Sequence, residues 1–246
     1  MLNPSGKLVG LEDVNFRVGV ATLGAYRRAI EFKYREGRFT TEFLKEARTA
    51  RVVYDVGAHV GFYALLAAKA NSDASVIAFE PQHANFLELE KNIERNDVKG
   101  VIGFPYGVSD KARTAQLAVA VSGNCAGGGT HHVSASGSGE QIRTVVLDEF
   151  VREWNLPSPS MVLIDIEGHE LAALRGMERT LREHQPSLYI EVHRRQLQER
   201  GESHEQLDEF LNQFGYVAEI LRNPSGQRGT HTQLHVRYRA TKQVSA

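Results

Sequence analysis

From Arg51 onward, short apolar-rich runs alternate with stretches whose apolar positions recur every three or four residues. The first rhythm marks strands buried on both faces, the second helices with one buried side. Their alternation predicts a parallel sheet wrapped by helices. Strands are expected at 51–56, 75–79, about 101–108, 114–121, 143–147, 161–165 and 187–192. The helix after the first strand places Phe62, Leu65, Leu66 and Ala68 on helical spacing and ends near Ala70. Further helices are expected at 82–95, with Phe86, Leu87, Leu89 and Ile93 inward, and at 148–154. Two more follow at 168–183, with Leu171, Leu174, Met177 and Leu181 on one face, and at 204–214, stopped by Gly215. Residues 216–221 and 231–239 read as a terminal antiparallel pair. The expected architecture is α/β, a seven-stranded, mostly parallel sheet closed by that hairpin, with helices on both faces.

Two regions break the rhythm. In the first fifty residues, 14–20 suggests a strand, while 26–36 and 41–47 suggest helices. This segment, 1–50, reads as a cap over the substrate side of a domain spanning 51–246. Residues 124–140, NCAGGGTHHVSASGSGE, are dominated by glycine and serine and hold too little apolar surface to fix themselves. Such a stretch serves as a functional loop, in which His131 and His132 would close over substrate, or as a flexible linker with both histidines solvated.

Composition narrows the function. Across 246 residues, 29 Lys and Arg nearly balance 30 Asp and Glu, so nothing favours bulk nucleic acid as a partner. Cys125 is the only cysteine, which excludes an intrachain disulfide and a cysteine zinc site. No apolar run approaches the roughly 18 residues of a membrane span. The first ten residues lack the basic start and apolar stretch of a signal peptide, so a cytoplasmic protein is expected.

The candidate chemistry begins at Val53-Tyr54-Asp55-Val56-Gly57-Ala58-His59-Val60-Gly61, a strand ending in an acid, a glycine turn and a helix start. Nineteen residues after Gly61, Glu80 ends the next strand, where a carboxylate accepts both hydroxyls of a ribose; Pro81 then directs the chain into the following helix. Asp55 sits too early in the turn to reach a ribose, but it suits orienting the loop and, through water, a ligand ammonium. A dinucleotide site wants G-x-G-x-x-G, with the middle glycine beside a pyrophosphate. Here that position is His59, and the acid before the turn is mildly repulsive to phosphate. A ligand with a ribose and a cationic amino-acid end, as in S-adenosylmethionine, fits better.

Several blocks make the pattern specific: DVGAHVGFYALLAAK, VIAFEPQHANFLELEKNIERN, GVSD, VVLDEF, LIDIEGHELAALRGM and LYIEVH. In this order they resemble the FkbM family of S-adenosylmethionine-dependent methyltransferases, over about 53–193. The resemblance implies a class I methyltransferase, Rossmann-like fold, and commonly O-methylation of hydroxyls on sugars or natural products. It places the turn at Ser109 and Asp110 near the adenine. The family usually has asparagine where His59 stands. Residues 1–51 and 194–246, outside the match, are expected to shape the substrate pocket.

Methyl transfer to a hydroxyl calls for positioning and for a base or a metal that acidifies the acceptor. Asp165 after one strand, with Glu191 and His193 on one side of the next, would make a site for magnesium or a softer divalent ion. The alternative has Asp165 capping a turn, Glu191 paired with an arginine and His193 exposed. His169, opening a helix, is a second base candidate, while Glu167 and Glu170 are expected to serve that helix's N-terminus. The leading expectation is therefore an S-adenosylmethionine-dependent methyltransferase acting on a small-molecule or glycan hydroxyl. An NAD-dependent oxidoreductase and a non-catalytic nucleoside-binding protein are the alternatives.

Overall fold

A computed structural model describes residues 6–19, 37–120, 130–134, 139–222 and 233–241. In chain order the elements begin with strands β1 (Lys7–Leu11) and β2 (Val14–Val18), helix α1 (Arg38–Ala47), β3 (Val52–Val56), α2 (Phe62–Ala70), β4 (Ser75–Phe79) and α3 (His83–Arg95). Next come β5 (Val101–Phe104), β6 (Gly107–Val108), β7 (Arg113–Ala120), β8 (Thr130–Ser134), β9 (Glu140–Val145), α4 (Leu147–Glu153) and β10 (Met161–Ile164). The chain continues through α5 (Glu170–Arg175), α6 (Glu178–Glu183), β11 (Ser187–His193), α7 (Arg194–Glu199), α8 (His204–Asn212), β12 (Tyr216–Arg222) and β13 (Gln233–Ala240).

The seven-stranded sheet has the order β12-β13-β11-β10-β3-β4-β5, with only β13 antiparallel to its neighbours. From β3 the chain winds outward through β4 and β5, then returns to β10 on the other side of β3. The order therefore reverses between β3 and β10, and the carboxyl ends of these strands form the crevice where such sheets bind ligands. Both faces are covered, which is why the strands read as continuous apolar runs. Val53, Val76, Ala78, Leu163 and Tyr189 pack towards α1 and α2. Tyr54, Val56, Ile77, Phe79, Val162, Ile164 and Ile190 pack towards α4, α5, α6 and α8.

Several expected elements change at identifiable residues. The strand expected at 101–108 is two: Pro105 lacks an amide for the ladder, β5 ends before it, and β6 joins a second sheet of order β6-β9-β7-β8. The helix expected at 168–183 breaks into α5 and α6. A Cβ on Gly176 would stand 2.2 Å from the Ser109 carbonyl oxygen, and the Asp148 carboxylate accepts the Arg179 and Thr180 amides that open α6. Leu171, Leu174, Met177 and Leu181 nonetheless share one buried face. Leu87 is exposed rather than inward, because Phe86, Leu89 and Ile93 already fill the inner face of α3. Part of the glycine/serine stretch is ordered: 130–134 forms β8, paired antiparallel with β7. The rest of that stretch that precedes β8, Cys125 included, and the helix expected at 26–36 lie outside the described residues.

The N-terminal strand has a partner the sequence did not suggest, β1, and the β1–β2 hairpin docks on α2 and α3. Phe16 meets Phe62 edge-on at 5.5 Å, and Asn92 and Asn96 hydrogen-bond the backbone of Gly19 and Arg17. Helix α1 sets Phe39 and Phe43 against Tyr63 and Tyr189. Among the described residues, no helix is long and apolar enough to cross a membrane.

Among the described glycines, Gly57 is the most closely approached. It has φ +91°, and a Cβ there would lie 2.0 Å from the Asp165 carbonyl oxygen. Gly201 has φ +76° with nothing within 4 Å of its would-be Cβ. Gly201→Ala should cost about 1 kcal/mol, from backbone conformation alone. Gly57→Ala should cost at least about 3 kcal/mol, since β10 must also give way. Urea unfolding of both variants checks this; equal costs would mean that the close approach does not constrain the fold.

Candidate active site

The glycine turn and Glu80 form one hydrogen-bonded unit at the carboxyl ends of β3 and β4. The Gly57 and Ala58 amides donate to the Phe79 carbonyl at 2.9 and 3.0 Å. The His59 amide donates to Glu80 Oε2 at 2.8 Å, and the Gln82 amide to Glu80 Oε1 at 2.9 Å. A carboxylate has about four acceptor sites, so after these two amides and the neighbouring Asn85 side chain it can still accept from a ribose hydroxyl. Burial raises the Glu80 carboxyl to about 7, against the pull of the Gln82 and His59 amides. His59 has φ +51°, in the left-handed region where Asn, Asp and His are enriched, so histidine keeps the backbone path that an asparagine would take. The bond to Glu80 comes from its main-chain amide. Pro81 is half-buried, and the Gln82 side chain after it caps α3 by accepting the Asn85 amide.

Asp55 is fully buried beneath the start of α2, and neither carboxylate oxygen hydrogen-bonds a described residue. Burial pushes it to about 7, offset in part by the Ala64 amide. Beyond that amide at the start of α2, its carboxylate offers spare acceptor capacity beneath the crevice.

The second unit joins Ser109, Asp110 and His169. Ser109 donates its hydroxyl to Asp110 Oδ1 at 3.1 Å and lies 2.9 Å from His169 Nε2. With that one hydroxyl hydrogen on Asp110, His169 must be the donor, Nε2–H to Oγ. His169 occupies the N-cap position of α5, yet its ring is buried, and burial with Arg200 nearby lowers its pKa to about 4. A base candidate in the sequence, His169 is joined here to the Ser109–Asp110 turn.

The third unit gathers Asp165, Glu191 and His193. One donor atom from each lies within 4.8 Å of the others. His193 Nε2 is 3.7 Å from Asp165 Oδ1 and 3.7 Å from Glu191 Oε1. Glu167 and Glu170, expected only at a helix N-terminus, also converge here. Glu170 Oε1 accepts the Gly168 amide at 2.9 Å and bonds His193 Nδ1 at 2.8 Å, while Glu167 Oε2 stands 3.3 Å from His193 Nε2. Glu167 at φ +52° and Gly168 at φ +90° make the turn that brings this carboxylate back over the sheet. His235, opposite Glu191 in the β11–β13 register, approaches Glu191 Oε2 at 3.5 Å. Glu191 thus has a histidine partner, with the Arg222 charge also acting on it, and His193 is buried, not exposed as in the alternative reading. Burial and the Glu191 charge hold Asp165 well above the carboxylate range. Burial would raise Glu191 too, but His235 and His193 outweigh it and hold Glu191 below its ordinary value. Burial opposes charging of His193, but Glu167 and Glu170 raise it well above its ordinary value.

His169 yields a pH prediction. Its folded pKa of about 4 lies below the ordinary 6.5, so between these values the unfolded chain binds a proton that the folded one does not. Stability is complete above pH 6.5 and falls as the pH drops towards 4. Between pH 7 and pH 5 this site should cost about 2 kcal/mol. His169→Gln, which keeps an N–H donor towards Ser109, should remove that component from unfolding measured at the two pH values. An unchanged difference would place the acid sensitivity elsewhere.

Residues 138 in number are 36% identical to the hexuronic acid methyltransferase AglP of Haloferax volcanii, covering 56% of this chain and 54% of that protein. An overlapping match of 179 residues is 28% identical to the 31-O-demethyl-FK506 methyltransferase FkbM of Streptomyces tacrolimicus, covering 60% of this chain and 68% of that one. The match thus spans about half the length of the first relative. Among solved structures, the methyltransferase FkbM of Methylobacillus flagellatus superposes with a TM-score of 0.55 at 18% identity, covering 78% of this chain and 44% of its own, which shows a shared fold. SMU.1697c of Streptococcus mutans, in complex with SAH, gives 0.53 at 12% identity over 84% and 98%. The family model described as the methyltransferase FkbM domain matches residues 55–218, and on that extent the chain belongs to the FkbM methyltransferase family.

Proposed function

We propose that the protein transfers a methyl group from S-adenosylmethionine to a hydroxyl of a sugar or natural product. The observation that supports this most is Glu80, whose carboxylate is fixed by two backbone amides beside the glycine turn with acceptor capacity to spare. That arrangement suits a nucleoside and disfavours NAD. The turn amides of Gly57, Ala58 and His59 are already given to Phe79 and Glu80, so they do not form a pyrophosphate cradle. Asp55 faces the amino-acid end of the ligand and Asp110 the adenine. The names of the two relatives support a hydroxylated acceptor.

S-adenosylmethionine supplies an activated methyl group, so the chain's task is orientation and removal of a proton. The acceptor oxygen forms the new C–O bond with its own electron pair as the S–C bond breaks towards sulfur. The hydroxyl proton leaves to the cluster of Asp165, Glu191 and His193. The same three donors, within 4.8 Å of one another, lie close enough to share a divalent cation such as magnesium, whose ligand distances are roughly 2.0–2.1 Å. A cation there would acidify the hydroxyl. We assign His169 to positioning the adenine turn, because its donor nitrogen is committed to Ser109. The segment 1–50 is proposed as a cap: Phe39 of α1 lies 4.8 Å from the His235 ring, next to Glu191.

Calorimetric titration with S-adenosylmethionine, S-adenosylhomocysteine and NAD tests the reading. The first two should bind at micromolar concentrations and NAD should not; binding of NAD alone would overturn it. Glu80→Ala should weaken S-adenosylmethionine by about 2 kcal/mol, roughly 30-fold, through the lost charge-assisted bonds. Unchanged affinity in a folded variant would remove the ribose assignment.

A further inference from the structure

Within the cluster the pattern of contacts around His193 is more specific than a group of acids. His193 is 1% exposed. Its Nδ1 is bound by Glu170, so its Nε2 faces the opposite way, towards Glu167 at 3.3 Å and Asp165 and Glu191 at 3.7 Å each. Two of those three distances exceed a hydrogen bond. Glu170 is fully buried and its second oxygen, Oε2, makes no hydrogen bond to a described residue. Glu167 is held in place by Gln196 Nε2 at 3.1 Å and by a left-handed backbone that a glutamate rarely adopts.

A carboxylate that binds one imidazole nitrogen while the other faces a ring of oxygens is the arrangement that orients a histidine towards a metal. We infer that Glu167 completes a four-donor divalent-cation site with Asp165, Glu191 and His193, and that Glu170 is the positioning residue that aims His193 Nε2 at the ion. This rests on the cation reading above and adds to it two residues and a division of roles. Three carboxylates with one imidazole suit manganese as well as magnesium. Mn2+ is therefore the probe.

The experiment titrates Mn2+ into the whole protein and reads binding by electron paramagnetic resonance, with pulsed detection of nitrogen coupled to the ion. Wild type should bind Mn2+ with one coupled imidazole nitrogen. Glu167→Gln should weaken binding at least tenfold while keeping that coupling. Glu170→Gln should weaken binding 10- to 100-fold and lose the coupling, and Glu170→Asp should restore part of both. S-adenosylmethionine affinity, measured on each variant, should stay unchanged and reports that the fold is intact. Equal Mn2+ binding by wild type and Glu167→Gln removes Glu167 as a ligand. Coupling that persists in Glu170→Gln removes Glu170 as the positioning residue. If wild type binds no Mn2+, both roles fail together; S-adenosylmethionine binding then decides separately whether the methyltransferase reading stands. Should Glu170→Gln fail to fold, the partly exposed Glu167 supplies the deciding variant.

Discussion

The close approach of Gly57 to the Asp165 carbonyl is the constraint on which the site depends. β3 and β10 are neighbours in register, and at their carboxyl ends the two chains diverge, one into the cofactor turn, the other into the acidic turn. A side chain at 57 would wedge them apart. Glycine lets the turn close against the end of β10, so the Glu80 carboxylate and the acidic cluster are built on a shared backbone contact. Their relative placement is thereby a property of main chain rather than of flexible side chains, which is what the proposed methyl transfer, a reaction governed by positioning, would need.

The two halves of the crevice use charge in opposite ways. Around Glu80, backbone amides offset only part of the burial that raises its carboxyl to about 7. Across the crevice, Asp165, Glu167, Glu170 and Glu191 crowd two imidazoles. Four carboxylates are more than two histidines can neutralise if all are ionised, so part of the cluster stays protonated or takes up a cation. His169, by contrast, is kept neutral and serves as a donor to Ser109, sixty residues away in sequence.

Much of this was legible in the sequence because it is local. Asp55, the glycine turn and Glu80 lie on consecutive strand ends, and Glu191 and His193 share a side by the two-residue period of a strand. What was not legible depends on events the pattern does not encode. Glu167 enters the cluster only through a left-handed residue before Gly168, where the run 168–183 reads as an uninterrupted helix. His235 enters because β13 inserts between β11 and β12, a matter of strand order. The division at Pro105 was visible as a proline but not as a change of sheet. The ordered strand 130–134 came from a segment whose composition resembles a linker; its backbone is fixed by pairing with β7.

The insertion of β13 also sets a timetable. Glu191 meets the residue opposite it in the ladder, His235, only after the forty-odd residues between them have been made, α8 and β12 among them. On a ribosome the cofactor crevice between β3 and β10 can therefore close while the acidic cluster still lacks one wall. The strand that completes it must enter between a strand already placed and the edge of the sheet, a long-range pairing of the kind that forms slowly. The glycine turn and Glu80 are thus complete in sequence well before the last wall of the acidic cluster.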